Sequence, residues 1–309
     1  MIDAFYISLF LRFAAVSALF LVAASCTKGP LVPQPAAVDR GAQWVENCER
    51  NDAWDTPGPP YRIYGNTYYV GTCGIAAILV AGDQGHILID GGTERGGELV
   101  AKNVVALGFD IKDVEILLHS HEHFDHVGGL ATLQAQSGAR VIASAAAAPV
   151  LRTGNVSQKD PQWGMHEPFP AVSVSATVDH QGEVTLGNLS LTAIATPGHS
   201  PGALSWTWSS CEREECKTMV YADSLSPISS ADFRFSNYPN YVSAYRSGLA
   251  ALTNIECDFV LTPHPVASGM HQRLSGASGL QDKNGCQDYV NRIGQRLGKR
   301  LATERASSP

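Results

Sequence analysis

The chain has 309 residues, with 22 lysines and arginines against 29 aspartates and glutamates, and its formal net charge is −7 at pH 7. This balance lacks the basic surface that binding to a phosphate backbone requires, so we do not expect nucleic acid as a substrate or partner. The length suffices for one large α/β domain with a generous core, and we predict a single domain over residues 46–309.

The N-terminal residues are predicted to be an export signal. Arg12 precedes an apolar or small run at 13–24, which is too short to span a bilayer comfortably, so residues 1–25 are interpreted as a signal peptide. The small residues before Cys26 are typical of a lipoprotein cleavage site; ordinary cleavage nearby and a retained signal anchor are the alternatives. Residues 26–45, rich in proline and poor in hydrophobic residues, predict a flexible tether. We therefore expect a periplasmic protein, either anchored by lipid at Cys26 or released.

Cysteine usage supports export. The chain has seven cysteines, and setting Cys26 aside leaves six, an even number suited to disulfides in an oxidising compartment. Spacing alone does not determine the pairing. Our hypothesis joins neighbours in sequence: Cys48–Cys73, Cys211–Cys216 and Cys257–Cys286.

The first half of the chain alternates strand and helix patterns. In chain order it predicts strands over 61–70, 76–81 and 86–90, a helix over 98–107, a strand over 114–118 and a helix over 130–136. Glycine-rich turn signals separate the first three strands, so these strands should form an antiparallel meander. Gly108 and Gly138 are expected to end the two helices.

The second half of the chain also alternates strand and helix patterns. It predicts strands over 141–144, 172–178, 183–186, 189–195 and 204–208, with a short helical turn over 145–151. Residues 152–170 are rich in Gly, Asn, Gln, Asp, Trp and Pro and predict a long loop of the kind that often carries function. Two halves stacked sheet on sheet with helices outside predict an α/β fold, a four-layer αβ/βα sandwich with a site between the sheet edges.

A cluster of histidines follows the predicted strand over 114–118. Four of the ten histidines fall within residues 119–126, together with Asp125. Alternate residues of an extended chain point to the same side, so His121 and His123 should face one way, whereas the adjacent Asp125 and His126 diverge. Imidazole nitrogens and carboxylate oxygens are zinc ligands, and a catalytic zinc site uses three of them. The cluster therefore indicates two neighbouring metal sites that need further ligands from elsewhere.

Two more histidines lie in loops stiffened by proline. His199 follows the predicted strand over 189–195 in a loop with two Pro-Gly steps, and His264 lies between two prolines after the apolar stretch 259–261. They bring the candidate ligands to six, enough for two sites of three ligands each.

Together these motifs resemble the metallo-β-lactamases of class B, subclass 3. The resemblance covers about residues 52–271 and rests on HEHFDH at 121–126, TPGH at 196–199, ADSLS at 222–226 and TPHP at 262–265. It implies two zinc ions, the first on His121, His123 and His199 and the second on Asp125, His126 and His264. It also implies that Ser224 and Ser226 lie near the substrate carboxylate.

The resemblance implies an enzyme that hydrolyses the amide bond of β-lactam antibiotics through a zinc-bound hydroxide, which Asp125 orients while it ligates the second zinc. The alternative is a lactone or thioester hydrolase of the same superfamily, in which an aspartate near this point bridges both metals. Either Asp223 or Ser224 therefore faces the metals. His119 either donates to a metal ligand or competes as one. A zinc-dependent binding protein is disfavoured, because structural zinc is usually saturated by four ligands. We expect the protein to be a monomer.

Overall fold

Two β-sheets packed face to face form the centre of the computed structural model, which describes residues 41–49, 52–277 and 279–307. The first sheet consists, in chain order and in spatial order, of β1 (Tyr61–Tyr64), β2 (Thr67–Tyr69), β3 (Ile78–Gly82), β4 (Gly85–Ile89), β5 (Val114–Leu118), β6 (Arg140–Ala143) and β7 (Val174–Thr177). The second sheet consists of β8 (Glu183–Leu186), β9 (Leu189–Ala195), β10 (Leu204–Glu212), β11 (Glu215–Tyr221) and β12 (Phe259–Leu261), each beside the next. Neighbouring strands from β4 to β7 are parallel, as are β11 and β12, whereas the other pairs are antiparallel. The predicted meander is thus confirmed for β1 to β4.

Strands β3 and β4 show why this fold has layers on both faces of a sheet. Ile78, Val80 and Ile87 belong to the core between the two sheets. Leu79 and Leu88, which alternate with them, belong to the core on the opposite face of the first sheet. Successive side chains of a strand point to opposite faces, so an apolar strand of this kind requires a cover on each side.

Helices supply the outer covers. Their bounds are α1 (Ala42–Cys48), α2 (Glu94–Ala106), α3 (Phe124–Val127), α4 (Leu130–Ser137), α5 (Ala147–Thr153), α6 (Pro239–Thr253), α7 (Met270–Leu274) and α8 (Gly285–Ala306). Helices α2, α4 and α5 pack on the first sheet, and α6 and α8 pack on the second. The layer order is αβ/βα, as predicted.

Local signals account for the ends of the helices. Helix α2 begins at Glu94, four residues before the predicted start, because the Thr93 hydroxyl accepts a hydrogen bond from the Gly96 amide and caps the first turn. Gly108 follows the C-cap residue Leu107 of α2, and Gly138 is the C-cap of α4; they adopt φ values of 87° and 78°, and both helices end within one residue of the prediction.

The three hypothesised disulfides are confirmed, with bonds joining Cys48–Cys73, Cys211–Cys216 and Cys257–Cys286. Ordered structure begins earlier than predicted, because α1 starts inside the expected tether over 26–45 and buries Trp44 against Tyr61 and Tyr69. The predicted signal peptide over 1–25 and Cys26 lie outside the described residues. Within the described ranges, no helix has the length and apolar character needed to cross a membrane.

Strands from both sheets end at one edge of the sandwich. The segments that follow them there are Asp90 after β4, residues 119–126 after β5, 196–202 after β9, 222–226 after β11 and 262–265 after β12. The short helix α3 provides the turn of the chain that the adjacent Asp125 and His126 require. This edge gathers the predicted site residues.

Candidate metal centre

Three donor atoms converge where β5 and β12 end. Oδ2 of Asp125 lies 3.1 Å from Nε2 of His126 and 3.3 Å from Nε2 of His264. The two imidazole nitrogens lie 3.3 Å from each other. One cation at the centre of this triangle would satisfy all three donors. We call Asp125, His126 and His264 the second set.

A second group of donors adjoins this triangle. The ligand atoms of His121, His123 and His199, which we call the first set, lie within 4.8 Å of one another. Nε2 of His121 is buried and makes no hydrogen bond among the described residues. His121 also groups with Asp125 and His126 at the same spacing, so the two sets share a border.

Acceptors behind the first set turn its rings toward the centre. Nδ1 of His121 donates to Oδ1 of Asp223 at 2.8 Å, and Nε2 of His123 donates to the Asp160 carboxylate at 3.1 Å. Nδ1 of His199 donates to the carbonyl oxygen of Ser226 at 2.9 Å. The other nitrogen of each imidazole can then serve as a donor to the centre, although that of His199 lies 3.2 Å from the Gln162 amide nitrogen. Partners of metal-binding histidines fix ring orientation and tautomer in this way.

Protonation favours metal binding at two of the three rings of the first set. At the third, His123, burial would lower the pKa, but the Asp160 carboxylate raises it above its usual value. Burial, together with the neighbouring His126 and His199, lowers the pKa of His121 well below its usual value, and burial with His123 does the same to the pKa of His199. Both rings are therefore neutral at pH 7 and keep a lone pair for a cation.

The second set is dominated by its carboxylate. Burial alone would raise the pKa of Asp125, but the adjacent His126 lowers it well below the usual range. The same contact raises the pKa of His126 against the effect of burial. Oδ2 of Asp90 lies 3.6 Å from Nδ1 of His126, a contact between charges that is too long for a hydrogen bond. Asp90 itself accepts hydrogen bonds from the amide and hydroxyl of Ser120 and from the Tyr221 hydroxyl.

The charge around the two sets also fits a cation. Buried carboxylates surround them: Asp90, Glu122, Asp125, Asp160 and Asp223. In the part of the chain that the structure describes, no lysine or arginine is buried. Burying a carboxylate without a compensating charge is costly, and burial raises the pKa of Asp223 to about 8 and also raises that of Glu122. A bound cation would stabilise the ionised form of these groups. The nitrogen and carboxylate donors are those that zinc takes.

The predicted serines lie beside the first set. The Ser224 hydroxyl is buried and makes no hydrogen bond among the described residues, whereas the Ser226 hydroxyl lies 3.1 Å from Nδ1 of His199. Leu225 between them has a φ of 52°, a conformation that is costly for a bulky side chain. The Tyr245 hydroxyl donates to its carbonyl oxygen and helps to hold this turn.

Hydrogen bonds define the positions of Asp223 and His119. Asp223 stands behind His121, accepts a hydrogen bond from the Leu225 amide at 3.2 Å and belongs to neither donor set. His119 fits neither expected role, because its Nε2 accepts from the Ser144 amide at 3.2 Å and its carbonyl accepts from Trp206. Its ring is packed into the fold rather than directed to the donors, and burial lowers its pKa to about 4.

Sequence reasoning missed several residues that support the site. Asp160 and Gln162 lie in the predicted loop over 152–170, and the Gln162 amide nitrogen lies 3.2 Å from Nε2 of His199. The unusual composition of this loop was the available signal, but it indicated a region and not these positions. Glu122 accepts from the Ser200 hydroxyl at 2.6 Å and from the Gly202 amide at 2.7 Å, which ties the 119–126 segment to the loop of His199.

Known proteins share this fold. Residues 70–212 match the family model of the metallo-β-lactamase superfamily. The chain is 56% identical to the MIM-2 metallo-β-lactamase, with a TM-score of 0.81, over 84% of this chain and 97% of that one. It is 41% identical, with a TM-score of 0.80, to MEM-A1, a subclass B3 metallo-β-lactamase isolated from a soil metagenome library, over 82% of this chain and 100% of that one.

A curated relative matches over a shorter stretch. The chain is 33% identical over 159 residues to the ribonuclease TTHA0252 of Thermus thermophilus, which is 49% of this chain and only 35% of the relative's length. The solved structures, by contrast, match over nearly their whole length and at higher identity. The chain therefore belongs to the metallo-β-lactamase superfamily and, within it, to the subclass B3 metallo-β-lactamases.

Proposed function

We propose that this protein is a di-zinc β-lactamase that hydrolyses the amide bond of β-lactam antibiotics. The observation that carries the proposal is the pair of adjoining donor sets, one of three imidazoles and one of two imidazoles and a carboxylate. The similarity to solved subclass B3 enzymes over most of the chain supports it.

In this proposal each set holds one zinc ion: His121, His123 and His199 the first, and Asp125, His126 and His264 the second. Bound zinc would supply a Lewis acid for the lactam carbonyl and would lower the pKa of a water molecule from about 15.7 to about 7. Three protein ligands per ion leave a position for water or substrate, which a structural zinc site with four ligands lacks.

Asp125 has two roles in the proposed reaction. Its Oδ2 is one of the three donor atoms of the second set. Its other oxygen would accept a hydrogen bond from the attacking water and orient it toward the carbonyl carbon. Asp125 is therefore the residue of this chain that we assign to catalysis as well as to metal binding.

Ser224 is the better placed of the two serines to bind the substrate carboxylate. Its buried hydroxyl has a free donor, whereas that of Ser226 already contacts His199. Neither serine is proposed as a nucleophile. A serine nucleophile needs a neighbouring base, and the Ser224 hydroxyl has no hydrogen-bond partner in the described chain.

The rival function is hydrolysis of a lactone or thioester by the same fold. The hydrogen bond from His121 to Asp223 favours the lactamase, because it holds this carboxylate behind the first set and not between the two sets. We also propose export to the periplasm, with lipid at Cys26 or as a free chain, and a monomeric state. The disulfides are consistent with an oxidising compartment.

A substrate panel tests the proposal. The purified chain loaded with zinc is offered a penicillin, a cephalosporin, a carbapenem, a lactone and a thioester. We expect hydrolysis of the β-lactams that stops on chelation and returns when zinc is added. Turnover of the lactone or thioester without turnover of any β-lactam would establish the rival function instead.

A further inference from the structure

The three acceptors behind the first set lie on two loops. Asp160 belongs to the 152–170 loop, whereas Asp223 and the Ser226 carbonyl belong to residues 222–238, which connect β11 to α6. We call residues 222–238 the β11–α6 loop. The histidines of the first set take their orientation from these acceptors, so the geometry of the set depends on how the two loops are held.

A backbone hydrogen bond joins the two loops beside the metal centre. The Ser230 amide donates to the Pro161 carbonyl at 2.8 Å. Pro161 lies between Asp160 and Gln162, and the Gln162 amide donates to the Asp160 carboxylate at 2.7 Å. All three residues of the 152–170 loop are buried. The position of the Ser230 amide is therefore transmitted to the carboxylate one residue away from Pro161.

Helix α8 holds the β11–α6 loop through Arg300. Its Nη2 donates to the Ser229 hydroxyl at 2.7 Å and to the Phe233 carbonyl at 3.3 Å. The guanidinium also lies 5.8 Å from the centroid of the Phe235 ring. Arg300 thus fixes the residue directly before Ser230, whose amide joins the two loops.

Glu304, one turn further along α8, completes this attachment. Its carboxylate accepts from Nε of Arg300 at 2.7 Å and from the amides of Phe235 and Ser236 at 3.1 and 2.7 Å. Burial would raise the pKa of Glu304, but the hydrogen bonds from Arg300 and the two amides lower it below its usual value. The carboxylate is therefore ionised at pH 7, and charge-assisted hydrogen bonds of this kind are stronger than neutral ones.

The other end of the β11–α6 loop is held by different residues. The Tyr289 hydroxyl lies 3.0 and 2.5 Å from the carbonyl oxygens of Asp223 and Ser224. The Ser205 hydroxyl accepts from the Asp223 amide at 2.9 Å. Arg300 and Glu304 therefore act on the part of the loop that contacts Pro161.

We propose that Arg300 and Glu304 are positioning residues of the metal centre, which keep Asp160 behind His123 through the hydrogen bond between Ser230 and Pro161. This inference rests on the proposed function, in which the first set holds a zinc ion. Helix α8 thereby sets the zinc affinity of the first set without contributing a ligand. The donors of the second set follow β5 and β12 and lie on neither loop, so the effect is confined to the first set.

The test measures the zinc affinity of both sets by chelator competition. We expect Glu304→Gln, which keeps the size of the side chain and removes its charge, to weaken the first set about tenfold and to leave the second set unchanged. Because Glu304 acts through Asp160, the double variant with Asp160→Asn should bind zinc no more weakly than Asp160→Asn alone. Asp258→Asn is the matched control, since this buried carboxylate accepts from the Thr218 amide away from the centre.

A second variant keeps the proposal testable where Glu304→Gln does not fold. Ser229→Ala removes only the hydroxyl that Arg300 holds, and it should weaken the first set about threefold. Unchanged affinity in both variants, or losses that add in the double variant with Asp160→Asn, would overturn the positioning role. Equal weakening of both sets, or the same loss in Asp258→Asn, would also overturn it, because the effect would then follow general stability.

The zinc affinities are measured without a substrate. An unaltered chain that binds no zinc, or that hydrolyses no β-lactam, would overturn the proposed function itself. A lost positioning role and a lost function are therefore distinguishable outcomes.

Discussion

The two donor sets lie side by side but are built differently. The first set consists of three buried imidazoles, and each donates its other nitrogen to an acceptor fixed by the fold, namely Asp223, Asp160 and the Ser226 carbonyl. The second set contains the carboxylate of Asp125 and the most exposed donor, His264. Its donor atoms already crowd to within 3.1–3.3 Å of one another.

The first set is preorganised by the fold, whereas the second set is the more accessible to substrate. Hydrogen bonds hold the first set in its geometry before any cation binds, so its affinity depends on the acceptors behind it. His264 of the second set is partly exposed and lines a cavity of about 550 Å³, so this set meets the incoming substrate. We infer that the first set anchors the centre and the second set opens it to the substrate.

Removing one donor from either set should have the largest effect on activity. We expect His199→Ala and His264→Ala each to lower kcat/KM by more than about 100-fold, because loss of a ligand exceeds the 10–100-fold cost of losing its supporting partner. Metal analysis should find His264→Ala still holding the ion of the first set. His180→Ala, which removes an exposed histidine outside the centre, is the control. Full activity in either donor variant would exclude that residue as a ligand.

Replacing the acceptors Asp160 and Asp223 should change metal binding at the first set, because both residues hydrogen bond to histidines of that set. Asp160→Asn and Asp223→Asn should weaken metal binding at the first set by about 10–100-fold and leave the second set nearly as it was. Chelator competition measures both affinities. Asp258→Asn is a matched control, since this buried carboxylate accepts from the Thr218 amide away from the centre. Equal weakening of both sets would show that the acceptors support the fold in general.

Glu122 links the two sheets through the loop of His199, and its replacement should have a smaller effect. Glu122→Gln keeps the size but weakens the hydrogen bonds from Ser200 and Gly202. We expect a loss of about 1–3 kcal/mol in the free energy of unfolding and about a tenfold weaker metal affinity at the first set. Denaturant unfolding and chelator competition measure the two effects. A stability loss with unchanged affinity at both sets would limit Glu122 to a structural role.

Ser224→Ala should have the smallest effect and should not distinguish the sets. Loss of one hydrogen bond of about 1 kcal/mol to the substrate carboxylate predicts roughly a fivefold rise in KM. Zinc content should equal that of the unaltered chain, and Ser209→Ala on the exposed face of β10 serves as the control. An unchanged KM would remove Ser224 from the substrate site.

The sequence predicted the donor residues better than the residues that hydrogen bond to them, for physical reasons. His121, His123, Asp125 and His126 are close in sequence, so local geometry brings them together whatever the rest of the fold does. His199 and His264 were recognisable because proline-stiffened loops after apolar strands hold a side chain in place. Asp160 is a single acidic residue in a long loop, and only the tertiary fold brings it to His123.

The layers of the fold were predictable to a similar degree. Alternating strand and helix patterns gave the sandwich and the meander, and glycines marked the ends of α2 and α4. Strand β11 and helices α6 and α8 were not assigned. His119 was misinterpreted because closeness in sequence to His121 does not determine the direction of its side chain, which hydrogen bonds with Ser144 instead.

Whether the two donor sets bind two zinc ions that are both needed for hydrolysis can be measured directly. The metal-free chain is titrated with zinc while bound zinc and the hydrolysis of a chromogenic cephalosporin are recorded. Two adjoining sets predict that two zinc ions bind per chain and that the rate reaches its maximum only as the second ion binds. Saturation at one ion per chain with the full rate, or hydrolysis that persists in the metal-free chain, would contradict a catalytic centre of two zinc ions.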